Sequence, residues 1–446
     1  MLTTGAGIDR DEALEWYQRN RARTAALFDV VVPEAYYEQP IALRHPLVFY
    51  DGHLPAFSLN TLVKRGLGQP GVDARLEQLF ARGIDPEVDA EAGASGAGPT
   101  WPDRAAVRRF VAEADRLVMD ALAHADLDQP GRPLMEGAEA VHTILEHEAM
   151  HQETLLYMWH RLPHAMKRAP ADYRVVTEGP GLRAEEIIVP EGPVRLGAEP
   201  GAIPFGWDNE FPGFAVQVPE FGIDRYKVSN ADFLAFVEAG GYDDPQWWTA
   251  TDWEWLRASG TTHPPFWRRV DGTWHWFGMF ELLPLPERWP AYVSHAEARA
   301  YARWRGRRLA TEAEIQRAMY GAPDGSTRRH PWGDAAPTAD HGVFDFTSWE
   351  PQPLGTHPAG RSAWGLDDVV GNGWEWTSTI FEGYPGFAPL ASYPEYSADF
   401  FDGQHFVMKG ASPATARELL RPSFRNWFRA HYPYVYAGFR TVRSAS

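Results

Sequence analysis

Apolar side chains recur at three- and four-residue spacing through most of residues 1–165, the period of an amphipathic helix. Ala13, Leu14, Tyr17, Ala25, Ala26 and Leu27 form one stripe behind Asp9, a good N-cap, and the stripe ends near Pro33. A second helix is expected from about Leu47 to Val63, stopping near Gly66. Val107, Phe110, Val111, Ala114, Leu117, Val118 and Leu122 set a third over Asp103 to Ala125. The longest candidate runs from Glu136 to Leu162 and is closed by Pro163. A short helical piece, Asp73 to Arg82, and a loop rich in Ala, Gly and acids, Asp85 to Pro102, separate the second and third. Four long helices with one long crossover predict a four-helix bundle.

After Pro170 the period shortens, and Gly and Pro break it. Ile187 to Leu196, Phe214 to Val218 and Phe221 to Val228 read as strands. Asn230 to Glu238 and Ser294 to Arg305 read as short helices, and Phe406 to Lys409 and Tyr436 to Val442 as closing strands. The expected fold class is α+β and multidomain. A bundle covers 8–165, a linker 166–184 and an irregular α+β domain 185–446.

Composition narrows the chemistry. A chain of 446 residues exceeds what one core supports, and 44% apolar with 23% charged residues is ordinary for a globular protein. A formal charge of −18 argues against nucleic acid or an anionic membrane as partner. No stretch approaches the roughly 18 apolar residues of a membrane helix, and Met1 to Arg10 lacks a signal peptide's basic start and apolar run. A cytoplasmic protein is the expectation. Zero cysteines decide more: disulfides, thiolate metal ligands, a cysteine nucleophile and iron–sulfur clusters are all excluded. Any metal must sit on His, Asp or Glu.

His147 and His151, in HEAMHQE, stand four apart on one helical face, so both imidazoles can reach one metal ion. Glu148 and Glu153 are candidate acceptors for their ring N–H groups. Sixteen histidines make one such pair nearly expected by chance, so a solvated helix face stays open as a reading. HEAMH also fits the HExxH pattern of zinc proteases, with Glu148 as base. His53, in FYDGHLPAF, is either a buried histidine satisfied by a backbone carbonyl or a third ligand from a facing helix. Three neutral imidazoles would leave open the coordination positions that a redox metal needs for oxygen and substrate.

In the second domain GNGWEWTS (371–378), RLATEAEIQRAMYG (308–321), PWGD (331–334) and YAGFR (436–440) stand out. A Trp-Glu-Trp turn beside glycine reads as structural, with rings pinning a loop and a carboxylate receiving backbone donors. RPSFRNWFRAHYPY (421–434) clusters Asn and aromatic residues in a loop before the last strand, which suits a cation held on π faces or a sugar ring.

These motifs carry a resemblance. Residues 185–446 resemble the formylglycine-generating-enzyme-like (FGE-sulfatase, C-type-lectin-like) domain through GNGWEW, RLxTEAE, PWGD and AGFR. Residues 10–165 resemble the DinB-type bundle through GHxxxF around His53 and HExxHQE around His147. The combination is similar to the non-heme iron sulfoxide synthases of ergothioneine and ovothiol biosynthesis and to the related selenoneine synthases. The resemblance implies Fe(II) bound by three histidines, with O2 as co-substrate, and sulfur or selenium joined to an imidazole carbon of histidine or hercynine. Formylglycine generation itself depends on cysteines that are absent. His53, His147 and His151 match the iron ligands. Asn426 and Trp427 match residues that hold hercynine's carboxylate and trimethylammonium end, and Tyr384, in YPGF, matches a tyrosine of that pocket.

The departures bear on the donor. Enzymes that use γ-glutamylcysteine typically read RNWD with an arginine four residues on, where this chain has Phe428 and Tyr432. Their catalytic tyrosine, three residues before the YPGF tyrosine, is Phe381 here, and a glutamine before the last iron histidine is Met150. A zwitterionic peptide needs matching charges, because a buried unpaired charge is costly. Phe and Tyr suit a neutral selenosugar or thiosugar better. The leading expectation is therefore a selenoneine synthase forming a C–Se bond between hercynine and a selenosugar. The alternatives are an ergothioneine-type sulfoxide synthase using cysteine, γ-glutamylcysteine or another thiol, and a non-enzymatic lectin-like binding module.

Overall fold

A computed structural model describes residues 9–81 and 100–444, so most of the Asp85–Pro102 loop lies outside the described residues. The chain divides into two compact units. The first is Met1–Pro170 with Leu390–Pro394, and the second is Ala171–Pro389 with Glu395–Ser446. The sequence placed all of 185–446 in the second domain. The five residues Leu390–Pro394 instead pack with the bundle, a long-range preference that no local pattern encodes.

In the first unit, α1 (Arg10–Asp29) starts at Asp9, whose carboxylate accepts the Glu12 N–H at 3.0 Å. Helix α2 (Leu47–Ser58) is buried on nearly every side and continues directly into a π-helical run, Leu59–Gly66. The single helix expected to Val63 thus changes pitch after Ser58. Pro55, inside α2, lacks the N–H that would join the ladder just before the change. A short α3 (Ala74–Leu79) follows the cap at Asp73, and α4 (Arg104–His124) starts from Asp103, which accepts the Ala106 N–H at 2.7 Å. The last helix, α5, spans Glu139–Arg161. It begins three residues later than expected because Glu136–Ala138 forms a 3₁₀ turn with Gly137 at φ 60°. Nineteen of its 23 residues are buried, which makes it the core helix of the bundle. It packs against α1 and α2, and α4 packs against the same two.

In the second unit, β1 (Glu186–Val189), β4 (Phe221–Asp224), β13 (Thr441–Ser444) and β8 (Arg308–Leu309) form a sheet in the order β1-β4-β13-β8. A second sheet has the order β11-β10-β9-β12: Asn426–Arg429, His405–Ala411, Gly373–Ile380 and Ala437–Gly438. Two smaller antiparallel sheets join β2 (Gly192–Leu196) to β3 (Phe214–Val218), and β5 (Trp267–Val270) to β6 (Thr273–Phe277) and β7 (Leu282–Pro284). Helices α6 (Asn230–Glu238), α8 (His295–Trp304) and α9 (Glu312–Tyr320) each begin at a capping box, and α7 (Ala250–Ser259) at Thr249. One core cluster joins Val189, Phe221, Ile223 and Val442 of the first sheet to Ile315 and Met319 of α9.

Several expectations are corrected here. The strand expected over Ile187–Leu196 breaks at Pro190–Glu191 into β1 and β2. The Trp-Glu-Trp turn is the start of strand β9, and the Glu375 carboxylate takes its donors from side chains, Arg440 and Lys227. Part of the aromatic loop 421–434 is strand β11, paired with β10 in the register Val407↔Trp427 and Phe406↔Phe428. No helix among the described residues is long and apolar enough to cross a membrane.

Candidate functional site

Helix α2 presents Phe49, Tyr50, His53 and Phe57 at helical spacing, and α5 presents His147 and His151 one turn apart. The three histidines are buried, and one donor atom from each lies within 4.8 Å of the others. Their ring centroids are 4.4–5.2 Å apart. An aromatic ring flanks each imidazole: Phe49 stacks on His53 at 4.8 Å, Phe57 on His147 at 3.5 Å, and Tyr50 lies 6.0 Å from His151.

The hydrogen bonds assign the tautomer of His53. Its Nδ1 lies 2.7 Å from the Phe80 carbonyl, which can only accept, so Nδ1 carries the proton and Nε2 keeps its lone pair. The backbone-carbonyl bond expected of a buried histidine thus occupies Nδ1 and leaves Nε2 outside it. His53 Nε2, both ring nitrogens of His147 and His151 Nδ1 are buried with no hydrogen-bond partner. Burial holds His53 at a pKa of about 4 and keeps His147 and His151 well below the usual histidine value, so all three are neutral at pH 7. Several orphaned imidazole nitrogens in one buried spot are costly unless something accepts their lone pairs. Neutral, convergent nitrogens fit a divalent transition-metal ion.

Glu148 does not serve the imidazoles. Its Oε1 accepts Arg21 Nη1 at 2.8 Å and Thr24 Oγ1 at 2.7 Å, while Arg21 Nε also reaches Asp115. Its Oε1 is thus held by α1, its buried Oε2 has no hydrogen-bond partner, and neither oxygen bonds an imidazole of the three. Met150, on the same helix, is half-buried between the two ligand positions in sequence.

The residues expected to hold substrate lie in the second unit. Trp427 stacks on buried Phe381 with centroids 4.0 Å apart and planes 6° apart, and Tyr396 and Phe400 flank the indole at 5.3 and 5.7 Å. Asn426 accepts the Trp427 N–H at 2.8 Å through its own Oδ1. Tyr384 is buried, and its hydroxyl donates to Glu312 Oε1 at 2.9 Å. Burial and Glu312 hold its pKa well above the ordinary tyrosine value, so the phenol stays protonated. Arg425 pairs with Glu312 at 2.9 Å and lies over both rings, 4.2 Å from Tyr384 and 4.9 Å from Phe381. Phe428 stacks on Tyr432 at 4.9 Å, and Tyr434 meets Tyr432 at 5.0 Å. Successive strand residues face opposite ways, so Trp427 and Phe428 leave β11 on opposite sides and enter separate aromatic groups.

Sequence reading quoted Phe49, Tyr50 and Phe57 inside FYDGHLPAF but gave them no role at the site, although their positions four before, three before and four after His53 were a usable helical signal. It also missed the Phe80 carbonyl and Tyr393, whose ring lies 6.3 Å from that of His147. Neither carries a local signal.

Comparison with known proteins supplies the family. The DinB superfamily matches residues 17–155, and the sulfatase-modifying factor enzyme 1-like domain matches residues 174–445. A hercynine oxygenase of Mycolicibacterium thermoresistibile is 35% identical over 431 residues, covering 95% of this chain and 92% of that protein. The hercynine oxygenase of Mycobacterium tuberculosis is 33% identical, covering 95% and 96%. Ergothioneine biosynthesis protein 1 of Schizosaccharomyces pombe is 27% identical, covering 91% of this chain and 52% of that protein. With a bundle of the DinB type, a sulfatase-modifying factor enzyme 1-like domain and relatives matched nearly end to end, the chain belongs to the hercynine oxygenase family.

Proposed function

We propose that this enzyme is a hercynine oxygenase of the ergothioneine type, joining the sulfur of a thiol to an imidazole carbon of hercynine with O2 as oxidant. The observation that carries this reading is the set of orphaned, buried nitrogens of His53, His147 and His151 within 4.8 Å of one another. These three residues would hold Fe(II), which when bound would supply the redox chemistry and the open positions for oxygen and substrate. His53 is aligned for that task by its hydrogen bond to the Phe80 carbonyl, the outer partner that ligating histidines usually have. Asn426 and Trp427 are the proposed hercynine contacts, the indole offering a π face to the trimethylammonium group.

Trp427→Ala is expected to weaken hercynine binding by about 1–2 kcal/mol, roughly tenfold, while Fe(II) binding is retained. Calorimetric titration of hercynine checks this, and an unchanged affinity removes Trp427 from the site.

A second reading, a selenosugar as donor and selenoneine as product, is favoured by one observation. Where related enzymes place an acid and an arginine, Phe428 and Tyr432 form an uncharged stacked pair on the face of β11 opposite Trp427, and Phe381 brings no hydroxyl to the Trp427 cluster. Such a surface matches an uncharged donor better than γ-glutamylcysteine. Incubating the Fe(II) protein with hercynine, O2 and separate donors (selenosugar, thiosugar, cysteine, γ-glutamylcysteine) and identifying products by mass distinguishes the two readings. A C–S product from a thiol as the main outcome supports the first, and turnover dominated by selenosugar supports the second. If the selenosugar reading holds, Phe428→Asp with Tyr432→Arg lowers sugar use, because a desolvated charge then faces a neutral substrate. No hercynine adduct from any donor overturns both.

A further inference from the structure

Leu390–Pro394 lies more than two hundred residues from its partners in the first unit, yet it follows one line of the ligand-bearing helix. Glu139, Thr143 and His147 are spaced by four and share a face of α5. The segment meets all three. The Ser392 N–H donates to Glu139 Oε1 at 2.7 Å, the buried hydroxyls of Ser392 and Thr143 are 2.9 Å apart, and the Tyr393 ring stands edge-on to His147 at 6.3 Å. From the π-helical continuation of α2, Arg65 donates to the carbonyls of Ser392 at 3.0 Å and Ala391 at 3.3 Å. Tyr393 also packs on Phe57 at 5.5 Å, the same ring that stacks on His147.

The orientation of His147 depends on these rings. His53 has the Phe80 carbonyl to fix its plane, whereas neither nitrogen of His147 has a hydrogen-bond partner. The imidazole torsion is intrinsically broad, so packing must set where its donor atom points. The two elements that carry the ligands must also keep their spacing, just where α2 changes pitch. Ser392, held by Arg65 on one element and by Glu139 and Thr143 on the other, is the cross-tie that does this.

We propose that Leu390–Pro394 is a strap over the three-histidine centre and that Tyr393 is a positioning residue, its ring holding the Phe57–His147 stack and so aiming His147 at the metal. This rests on the reading that the three histidines bind a metal. The test is titration of Co(II) alone into the full-length metal-free protein, followed by calorimetry and by the visible absorption bands of the bound ion. Tyr393→Ala should weaken Co(II) binding about 10-fold or more, as loss of a ligand's outer support does, and should alter the bands. Tyr393→Phe should restore both, because the ring and not the hydroxyl is the working part. Should Tyr393→Ala not fold, Tyr393→Leu keeps the bulk without the flat ring and is expected to show the same weakening. Wild-type affinity and bands in the alanine or leucine variant overturn the proposal, as does a phenylalanine variant no better than alanine. Failure of the wild type to bind Co(II) overturns the metal-site reading instead.

Discussion

His147→Ala is expected to remove Fe(II) binding and with it all turnover of hercynine, while the metal-free protein unfolds at nearly its original temperature. His147 gives one of three converging ligand atoms among the described residues, and two neutral imidazoles leave most of the ion's coordination to water. The affinity loss should exceed the roughly 10- to 100-fold that follows loss of a mere outer-sphere partner. The metal-free protein responds in the opposite sense. Both His147 nitrogens are buried without a partner, so the wild type already carries a desolvation cost that the variant sheds. Against this stands the lost stack on Phe57, and the two terms oppose each other. Thermal unfolding with and without Fe(II), under anaerobic conditions, reads both effects. At a hundredfold excess over Kd, bound metal stabilises the wild-type bundle by about 2.7 kcal/mol, and the variant should show no such rise. A metal-dependent rise that persists in His147→Ala would mean that the residue is not a ligand.

What the sequence made legible follows from how local each signal is. His147 and His151 are one turn apart in a single helix, so spacing alone placed them on one face. The capped helices were equally readable, since Ser294 with Glu297 and Ser229 with Asp232 are short-range exchanges of hydrogen bonds. The edge of α2 was not. Its π-helical run has the same apolar content as an α-helix, and only the backbone pitch differs. The α7 helix and the β5–β7 sheet escaped notice because they bury few residues, Asp252 and Leu256 in the helix and Trp267 and Trp276 in the sheet, and so leave little apolar period to detect. The hydrogen-bond partners around the histidine site are more remote still: the accepting Phe80 carbonyl is 27 residues from His53, and the Ser392 hydroxyl is 249 from Thr143. That Phe428 and Trp427 leave β11 on opposite faces was not legible either, because the segment reads as a loop until its pairing with β10 sets the alternation.

Arg440→Ala is expected to destabilise the second unit by about 3–5 kcal/mol, the cost of stranding one member of a buried ion pair. Arg440 Nε lies 3.0–3.1 Å from both oxygens of Glu375, with both side chains buried, and Lys227 approaches the same carboxylate at 3.4 Å. The guanidinium also donates to the carbonyls of Asp224, Arg225 and Asp367. It thereby joins β4, the 367–371 loop and β9, and the terminal AGFR and central GNGWEW motifs are two halves of one polar knot. Close approach in that knot is steric too: Gly371 has φ +86°, and a Cβ there would meet the Val343 carbonyl at 2.6 Å. Alanine at 440 removes a donor from three carbonyls, of which that of Arg225 still accepts the Asp367 N–H, and leaves a carboxylate with only the lysine nearby. Arg440→Lys keeps a charge but loses the fork, so it should recover only part of the loss. The measurement is urea unfolding followed by tryptophan fluorescence, which reports mainly on the second unit because all tryptophans but Trp16, Trp101 and Trp159 lie there. Adding Glu375→Gln should cost less than its own single effect, since the stranded charge is then gone. An Arg440→Ala midpoint equal to that of the wild type, or strictly additive single and double variants, would show that this pair is a bystander to the fold.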